Sequence, residues 1–333
     1  MTGLAHRMLL PAIAGIMLCT GTLSAQDETI YMSVLSSRKH GWSKNDNPLI
    51  GLFVSNDEGT TWHHRGWREY IRTFYAEEGP DGTIWSACGN GVLRSTDGGN
   101  RWRVTTDWRV TEVLKVRPDP GNSAVTFAAS AYGVIRTRDR GATWQCVLPR
   151  FSSDVWIDRT DGRRVFAATE EGLSISSDRG ETWPRAALRG KGVRTIVQNP
   201  ASGGTLFAGT EDDGIFVSAD TGATWQSSSD GLLHNTVYAL DLDPRDGRRV
   251  FAGTHGGGVY ISEDGGKHWT QSSQGLTNLD VHSLVVSRVH PRTVYAGTLN
   301  GGLFISTDGG ARWKFQSQED AQVWGLSVSS GSR

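Results

Sequence analysis

The stretch Gly214–Trp225, GIFVSADTGATW, decides the fold because near copies of it recur along most of the chain. Six further copies are present, and the intervals between the tryptophans that close successive copies are 39 to 44 residues. These tryptophans are Trp62, Trp102, Trp144, Trp183, Trp225, Trp269 and Trp313. Self-similarity at a fixed period of about 40 residues is typical of repeat architectures. The sequence therefore predicts seven equivalent structural units.

Each unit contains more than the quoted stretch. Segments rich in β-branched residues begin at Val193, Val237 and Val281, and each is followed by a turn and a second apolar segment such as RVFAGT from Arg249. The quoted stretch then supplies a third strand, a turn and the start of a fourth. Four short antiparallel strands, A to D, in about 40 residues are typical of a propeller blade. We predict an all-β, seven-bladed β-propeller of four-stranded antiparallel blades.

The two ends of the chain predict how the ring closes. Thr29–Ser36 has the pattern of a strand B with no strand A before it, whereas Gln322–Ser330 has the pattern of a lone strand A. We expect the C-terminal strand A to join the N-terminal strands B, C and D, which leaves no unpaired inner edge.

The first residues differ from the rest of the 333-residue chain. Met8–Leu18 is apolar and leads to the small-residue segment CTGTLSA, which predicts a secretory signal peptide over residues 1–25. This apolar run is shorter than the roughly 20 residues that a membrane-spanning helix needs. We therefore expect residues 26–333 to form a single propeller, secreted or periplasmic, with no membrane span. A net charge of −1 does not favour nucleic-acid binding.

The sequence predicts no metal site and no cofactor. His63 and His64 are adjacent, so their side chains point to opposite faces of a strand. Cys88 and Cys146 have neither metal-ligand nor disulfide-framework spacing, and we expect two partly buried thiols.

The quoted stretch itself is predicted to be structural. Strand alternation places all the C–D turns on one face of the disc, where each aspartate can accept hydrogen bonds from its own turn. Seven equivalent sites around a rim cannot form one active site. The aspartates concerned are Asp57, Asp97, Asp139, Asp178, Asp220, Asp264 and Asp308.

These turns resemble the Asp-box, or BNR, repeats of the sialidase-like propeller superfamily, over nearly all of residues 26–333. Mild departures are Thr137 in place of serine, and Arg101, His268 and Arg312 in place of threonine. The superfamily includes sialidases, xyloglucan-active glycosidases, sortilin-type receptors and the photosystem II assembly factor. The last, a single seven-bladed ring, resembles this chain most in architecture. The resemblance implies the fold and leaves the function open.

Two groups of residues are candidates for binding. The long first B–C loop carries Arg38, Lys39 and Trp42, and the neighbouring D–A connections carry Arg68 and Arg109. Such a basic, tryptophan-bearing sector favours an anionic or sugar-like partner. The alternative is a set of solvated loops whose tryptophans pack against blade edges.

The second group lies at the starts of the A strands. Aligning these segments places one position at the channel mouth, occupied by Arg72, Thr111, Arg194, Tyr238, His282 and Trp324, with Asp154 or Trp156 in the remaining unit. Diverse side chains at one level favour ligand recognition. The alternative is packing between blades.

From these patterns we expect a non-enzymatic platform that binds a protein of the cell envelope. The alternative is a glycan-binding or glycoside-hydrolysing protein. A xyloglucanase-like enzyme needs two carboxylates across a cleft between two propellers, and this chain has one propeller. The acidic B–C loops are expected to be solvated rather than catalytic; they contain Glu170, Glu171, Glu211, Asp212 and Asp213.

Overall fold

The computed structural model describes residues 28–37, 50–68 and 71–330. The predicted signal peptide lies outside these residues. The described residues form 28 β-strands in seven four-stranded antiparallel sheets. The prediction of an all-β, seven-bladed propeller is confirmed.

The strands occupy four positions in the blades. The inner strands, A, are β4 (Thr73–Glu78), β8 (Val113–Pro118), β12 (Ser152–Ile157), β16 (Val193–Gln198), β20 (Val237–Leu242), β24 (Val281–Val286) and β28 (Ala321–Ser330). The B strands are β1 (Glu28–Ser37), β5 (Ile84–Cys88), β9 (Thr126–Ser130), β13 (Val165–Thr169), β17 (Leu206–Thr210), β21 (Val250–Thr254) and β25 (Val294–Thr298).

The C strands have four or five residues, and the D strands have two to four. The C strands are β2 (Gly51–Ser55), β6 (Gly91–Ser95), β10 (Gly133–Thr137), β14 (Gly172–Ser176), β18 (Ile215–Ser218), β22 (Gly258–Ser262) and β26 (Gly302–Ser306). The D strands are β3 (His63–His64), β7 (Arg103–Val104), β11 (Gln145–Leu148), β15 (Arg185–Ala187), β19 (Gln226–Ser227), β23 (Thr270–Gln271) and β27 (Lys314–Ser317).

The ring closes between the two ends of the chain, as predicted. One sheet has the order β28-β1-β2-β3, and β28 pairs antiparallel with β1 from Glu28↔Ser330 to Ser37↔Ala321. Each inner strand also contacts the inner strands of the two neighbouring blades, β28 with β4 and β24 included. The C-terminal strand thus completes both a blade and the ring.

The core lies between blades, where the faces of adjacent sheets meet. Small residues in the B strands allow this close approach. A Cβ atom on Gly297 would lie 2.4 Å from Val323 of the next inner strand. The closing tryptophans pack against the blade before their own. Trp313 is 3% exposed, and its Nε1–H donates to the Ser272 carbonyl at 2.8 Å.

The C–D turns are closed by a repeated hydrogen-bond network. In the first turn, Asp57 accepts bonds from the Ser55 hydroxyl (2.8 Å), the Thr61 amide (2.8 Å) and the Thr61 hydroxyl (2.6 Å). The Ser55 oxygen in turn accepts the Gly59 amide at 2.9 Å, and Gly59 has a φ of 81°. Bonds from the threonine hydroxyl and backbone lower the pKa of Asp57 to about 2.

The disc has two different faces. The turn face carries the A–B and C–D turns. The mouth face carries the B–C and D–A connections, and it is where the inner strands begin around the central channel. Alternation of strand direction makes this division necessary.

Candidate functional site

A repeated irregularity lies near the mouth-face end of all seven inner strands. In six of them the A–B pairing skips the second residue of the strand, as in Val193↔Thr210 followed by Thr195↔Gly209, and in β28 it skips the fourth, between Val323 and Gly325. Such a bulge turns the skipped side chain away from its normal direction. The seven skipped residues are Phe74, Leu114, Ser153, Arg194, Tyr238, His282 and Trp324.

These seven side chains line one cavity, the channel mouth. Its volume is about 290 Å³, and Tyr75, Lys115 and Thr195 complete its lining. This volume is close to the lower end of small-ligand pockets, about 300 Å³. One backbone device, repeated seven times, therefore presents seven different side chains to a shared space.

Four aromatic rings from consecutive blades form a continuous row in this cavity, which we call the aromatic arc. Tyr238 stacks on His282 with ring centroids 4.7 Å apart, and His282 lies 3.8 Å from the Trp324 ring. Phe74 meets Trp324 edge-on at 5.8 Å. All four residues are partly exposed, so the arc is accessible from the mouth face.

His282 is neutral at physiological pH. Burial lowers the pKa of His282 to about 4, although a hydrogen bond to the Trp324 carbonyl opposes this effect. Its Nδ1 lies 3.4 Å from that carbonyl oxygen, so Nδ1–H is the donor. A neutral ring with a protonated Nδ1 leaves Nε2 as a hydrogen-bond acceptor. The arc therefore contains a polar acceptor among apolar rings.

Two pairs, each of a basic residue and a carboxylate, lie beside the arc. Arg194, which lines the cavity, pairs with Glu211 of the adjacent B–C loop. His255 lies 3.0 Å from Asp280 and meets the Tyr238 ring edge-on at 6.2 Å. Two carboxylates, Glu211 and Asp280, therefore lie at the rim of the cavity. Their basic partners are Arg194, which lines the cavity, and His255, which contacts the Tyr238 ring of the arc.

Deeper in the cavity, Lys115 lies over the Tyr75 ring, with Nζ 3.7 Å from its centroid. Burial lowers the pKa of Lys115, and the nearby Asp154 carboxylate opposes that effect.

The alignment of two inner strands by sequence was wrong. The register places Phe74, not Arg72, and Leu114, not Thr111, at the shared position. Arg72 is exposed and precedes the strand. In the fourth blade the position belongs to Ser153, whereas Asp154 and Trp156 are buried below it. Arg194, Tyr238, His282 and Trp324 lie where the alignment placed them.

The predicted basic sector is described only in part, because Arg38, Lys39 and Trp42 lie outside the described residues. The Arg68 guanidinium carbon lies 5.5 Å from the ring centroid of its neighbour Trp67. Arg109 pairs with Asp107 at 2.9 Å in an exposed turn. Neither arginine lines the channel-mouth cavity.

The carboxylates of the acidic B–C loops are either paired with a basic side chain or exposed. Glu171 pairs with Arg150 at 2.8 Å and Asp213 with Lys191 at 2.6 Å, while Glu170 and Asp212 are exposed.

The two thiols differ from the expectation that both are partly buried. Cys88 is buried, which raises the pKa of its thiol to about 11, and Cys146 is exposed.

In residues 28–37, 50–68 and 71–330, no cluster of three or more His, Cys, Asp or Glu side chains could hold a metal ion. Within the same ranges, no helix is long and apolar enough to cross a bilayer.

Two curated relatives have detectable sequence similarity, and no protein-family model matches the chain. An oligoxyloglucan-reducing end-specific xyloglucanase of Emericella nidulans is 29% identical over 110 residues, 27% of this chain and 14% of that protein. A xyloglucanase of Hypocrea jecorina is 26% identical over 154 residues, 45% of this chain and 18% of that protein. The matches thus span less than a fifth of either relative.

Solved structures agree on the fold. A GH74 enzyme of Niastella koreensis superposes with a TM-score of 0.68 and 16% identity, over 86% of this chain and 54% of that one. YCF48 bound to a D1 peptide superposes with a TM-score of 0.56 and 18% identity, over 79% and 86% of the two chains. At these identities the likeness defines the class of fold, a seven-bladed β-propeller, and confirms the predicted architectural resemblance.

The expected non-enzymatic protein-binding platform is contradicted by these comparisons. Both relatives with detectable sequence similarity are xyloglucanases. The alternative, a glycan-binding or glycoside-hydrolysing protein, agrees with them better.

Proposed function

We propose that this chain is a glycan-active protein that binds an oligosaccharide at the mouth of its central channel. The aromatic arc carries the proposal, because it places Tyr238, His282, Trp324 and Phe74 around one accessible cavity. Sugar rings have C–H faces that pack on aromatic rings and hydroxyls that need hydrogen-bond partners. The arc supplies the apolar contacts, and His282 Nε2 and the Arg194 guanidinium supply the polar ones.

The sequence relatives suggest the class of glycan. Both are xyloglucanases, so we infer a xyloglucan-type glucan as the ligand. A neutral polymer agrees with a site built mainly from aromatic rings, in which Arg194 is already paired to Glu211 and Lys115 lies over the Tyr75 ring. We also place the protein outside the cytoplasm, where the predicted signal peptide would direct it and where such polymers occur.

We extend the proposal to hydrolysis of the bound glycan. Glycoside hydrolysis uses two carboxyl groups that flank the scissile bond. Glu211 and Asp280 are our candidates, since each pairs with a basic side chain that lines the cavity or contacts the arc. Their partners, Arg194 and His255, would hold the carboxylates in fixed orientations.

Calorimetric titration with xyloglucan oligosaccharides tests the binding step. We expect Trp324→Ala to weaken binding about tenfold or more, because it removes the ring shared by two arc contacts. Phe315→Ala is the matched control: Phe315 is 49% exposed on the outer strand β27, away from the channel. Equal loss in both variants, or no binding by the unmodified protein to xyloglucan oligosaccharides, would overturn the proposal.

Release of new reducing ends from xyloglucan tests the hydrolytic step. Glu211→Gln and Asp280→Asn should abolish release while keeping binding. Glu171→Gln, which changes an exposed carboxylate of another B–C loop, should leave release unchanged. Binding without release would remove the hydrolytic step and leave the binding proposal intact.

A further inference from the structure

Below the mouth, the central channel contains a dense set of charged side chains. Arg117 lies on the inner strand β8 and Asp154 on β12, while Arg159 and Arg288 follow the ends of β12 and β24. Together with Glu77 and Asp241 they line a cavity of about 110 Å³. A single water needs about 10–15 Å³ on this measure, so the space admits several waters or a small ion.

Two of the three arginines have carboxylate partners. Arg117 lies 2.7 Å from Glu77 and 3.5 Å from Asp154. Arg288 lies 3.0 Å from Asp241 and 3.2 Å from the Leu242 carbonyl. Burial acts against both charged guanidiniums, but these carboxylates outweigh it and raise the pKa of each arginine.

Arg159 has no ion pair within the described ranges. Its guanidinium lies 5.1 Å from the Trp156 ring, which Arg117 also contacts at 4.6 Å. Arg159 is exposed to the channel solvent. The protein around its guanidinium, followed by the nearby Arg288 charge, still lowers the pKa of Arg159, although the charges of Glu77 and Asp241 oppose this effect. A guanidinium near two others and without an ion pair of its own is electrostatically less favourable than one with a counter-ion.

The position of Arg159 connects two cavities. It lines the 110 Å³ channel cavity and also a cavity of about 240 Å³ that opens at the turn-face end. Arg117, Trp156 and the carboxylate Glu77 line both as well, and Glu78 lines the turn-face cavity. An ion that enters from the turn face therefore meets Arg159 without passing the aromatic arc.

We propose that the central channel holds a small oxyanion, bound by Arg159 between Arg117 and Arg288. A guanidinium presents parallel N–H donors that match the two oxygens of a carboxylate or a phosphate. The channel lining carries four basic groups, Lys115 being the fourth, and three carboxylates, so one positive charge is in excess. Glu28 lies behind Arg288 and accepts its backbone N–H at 2.5 Å, outside the cavity lining. This site is independent of the glycan proposed at the mouth.

Titration calorimetry with inorganic phosphate and with acetate, at constant ionic strength set by sodium chloride, tests the site. We expect one anion per chain, and the two arms show whether a phosphate or a carboxylate is preferred. Arg159→Gln should weaken binding of the preferred anion at least tenfold. Arg159→Lys should retain part of the affinity, because it keeps the charge but not the paired donors.

Thermal unfolding supplies the second measurement. Anions such as phosphate also stabilise proteins non-specifically, and Arg292→Gln, which changes an exposed arginine, measures that background. The melting temperature of the unmodified protein and of Arg292→Gln should rise equally with phosphate or acetate, and that of Arg159→Gln should rise less. Without added oxyanion, Arg159→Gln should be at least as stable as the unmodified protein. Equal responses in all three proteins, or no anion binding by calorimetry, would overturn the proposal.

Discussion

The two faces of the disc use the same sevenfold frame in opposite ways. On the turn face, all seven C–D turns repeat a serine or threonine, an aspartate and a glycine, and all seven aspartates accept bonds from their own turns. On the mouth face, the seven bulged positions carry seven different residue types. Repetition serves the fold, and variation at one repeated position produces a site. The following predictions compare the two faces, from the largest expected effect to the smallest.

Removal of residues 321–333 should have the largest effect, because both faces depend on a closed ring. Without β28, strand β1 keeps β2 but loses its inner antiparallel partner, and the buried residues Ala321, Val323 and Leu326 leave the core. We expect no cooperative thermal unfolding transition by circular dichroism. A chain that ends at Ser330 is the control and should unfold like the unmodified protein. A cooperative transition at the original temperature in the truncated chain would contradict the closure.

Replacement of a buried closing tryptophan should destabilise the protein far more than replacement of an exposed tryptophan on the mouth face. Trp313→Ala removes a ring that is 3% exposed, together with its bond to Ser272, and should cost about 3–5 kcal/mol. Trp108→Ala removes a ring that is 85% exposed on the mouth face and should change stability by less than about 0.5 kcal/mol. Chemical denaturation of both variants measures the difference, and similar free energies of unfolding would refute this distinction.

The mouth should respond to pH through His282. Its pKa is about 4 in the folded chain against 6.5 for the free side chain, so the unfolded chain binds more protons between these values. This contribution to stability is therefore complete above pH 6.5 and is lost as the pH falls toward 4. Between pH 4 and 6.5, the melting temperature of His282→Gln should rise less steeply than that of the unmodified protein. Parallel curves for the two proteins would show that His282 is not held neutral by the mouth.

The smallest effect should come from completing a C–D turn. Four of the turn aspartates accept a hydrogen bond from the hydroxyl of a threonine four residues later, and their pKa values are lowered to about 2. Asp308 has Arg312 at that position and therefore lacks the hydroxyl bond. Arg312→Thr should add that bond and raise the melting temperature at pH 7 by about 1 °C. A lowered carboxyl pKa stabilises only above the unfolded value, so the gain should vanish as the pH falls from about 4 to 2. An equal gain at both extremes would mean that the added bond does not involve the ionised Asp308.

Sequence periodicity was sufficient to predict the blades and the closing strand. Residues such as Asp220 and Trp225 recur at nearly constant spacing because every blade needs the same turn and the same contact with its neighbour. The mouth was harder to predict, because a bulge shifts register without a fixed residue type. Arg72 and Thr111 precede strands that begin at Thr73 and Val113, and only the pairing shows that Phe74 and Leu114 take the shared position.

The arc and the channel ion pairs have no local sequence pattern. His282 contacts Tyr238 and Trp324, residues about 40 positions away on either side, through neighbouring inner strands. Arg117 meets Glu77 and Asp154 at similar separations. These contacts follow the repeat period of about 40 residues, so a search for polar and aromatic side chains one repeat apart would have found them.

A crystal structure of the protein with a xyloglucan oligosaccharide tests the central claim most directly. The account predicts a sugar ring at the channel mouth, in van der Waals contact with Trp324 or Tyr238 and within hydrogen-bond distance of His282 Nε2 or Arg194. A sugar bound among the C–D turns of the turn face, with the mouth empty, would contradict it.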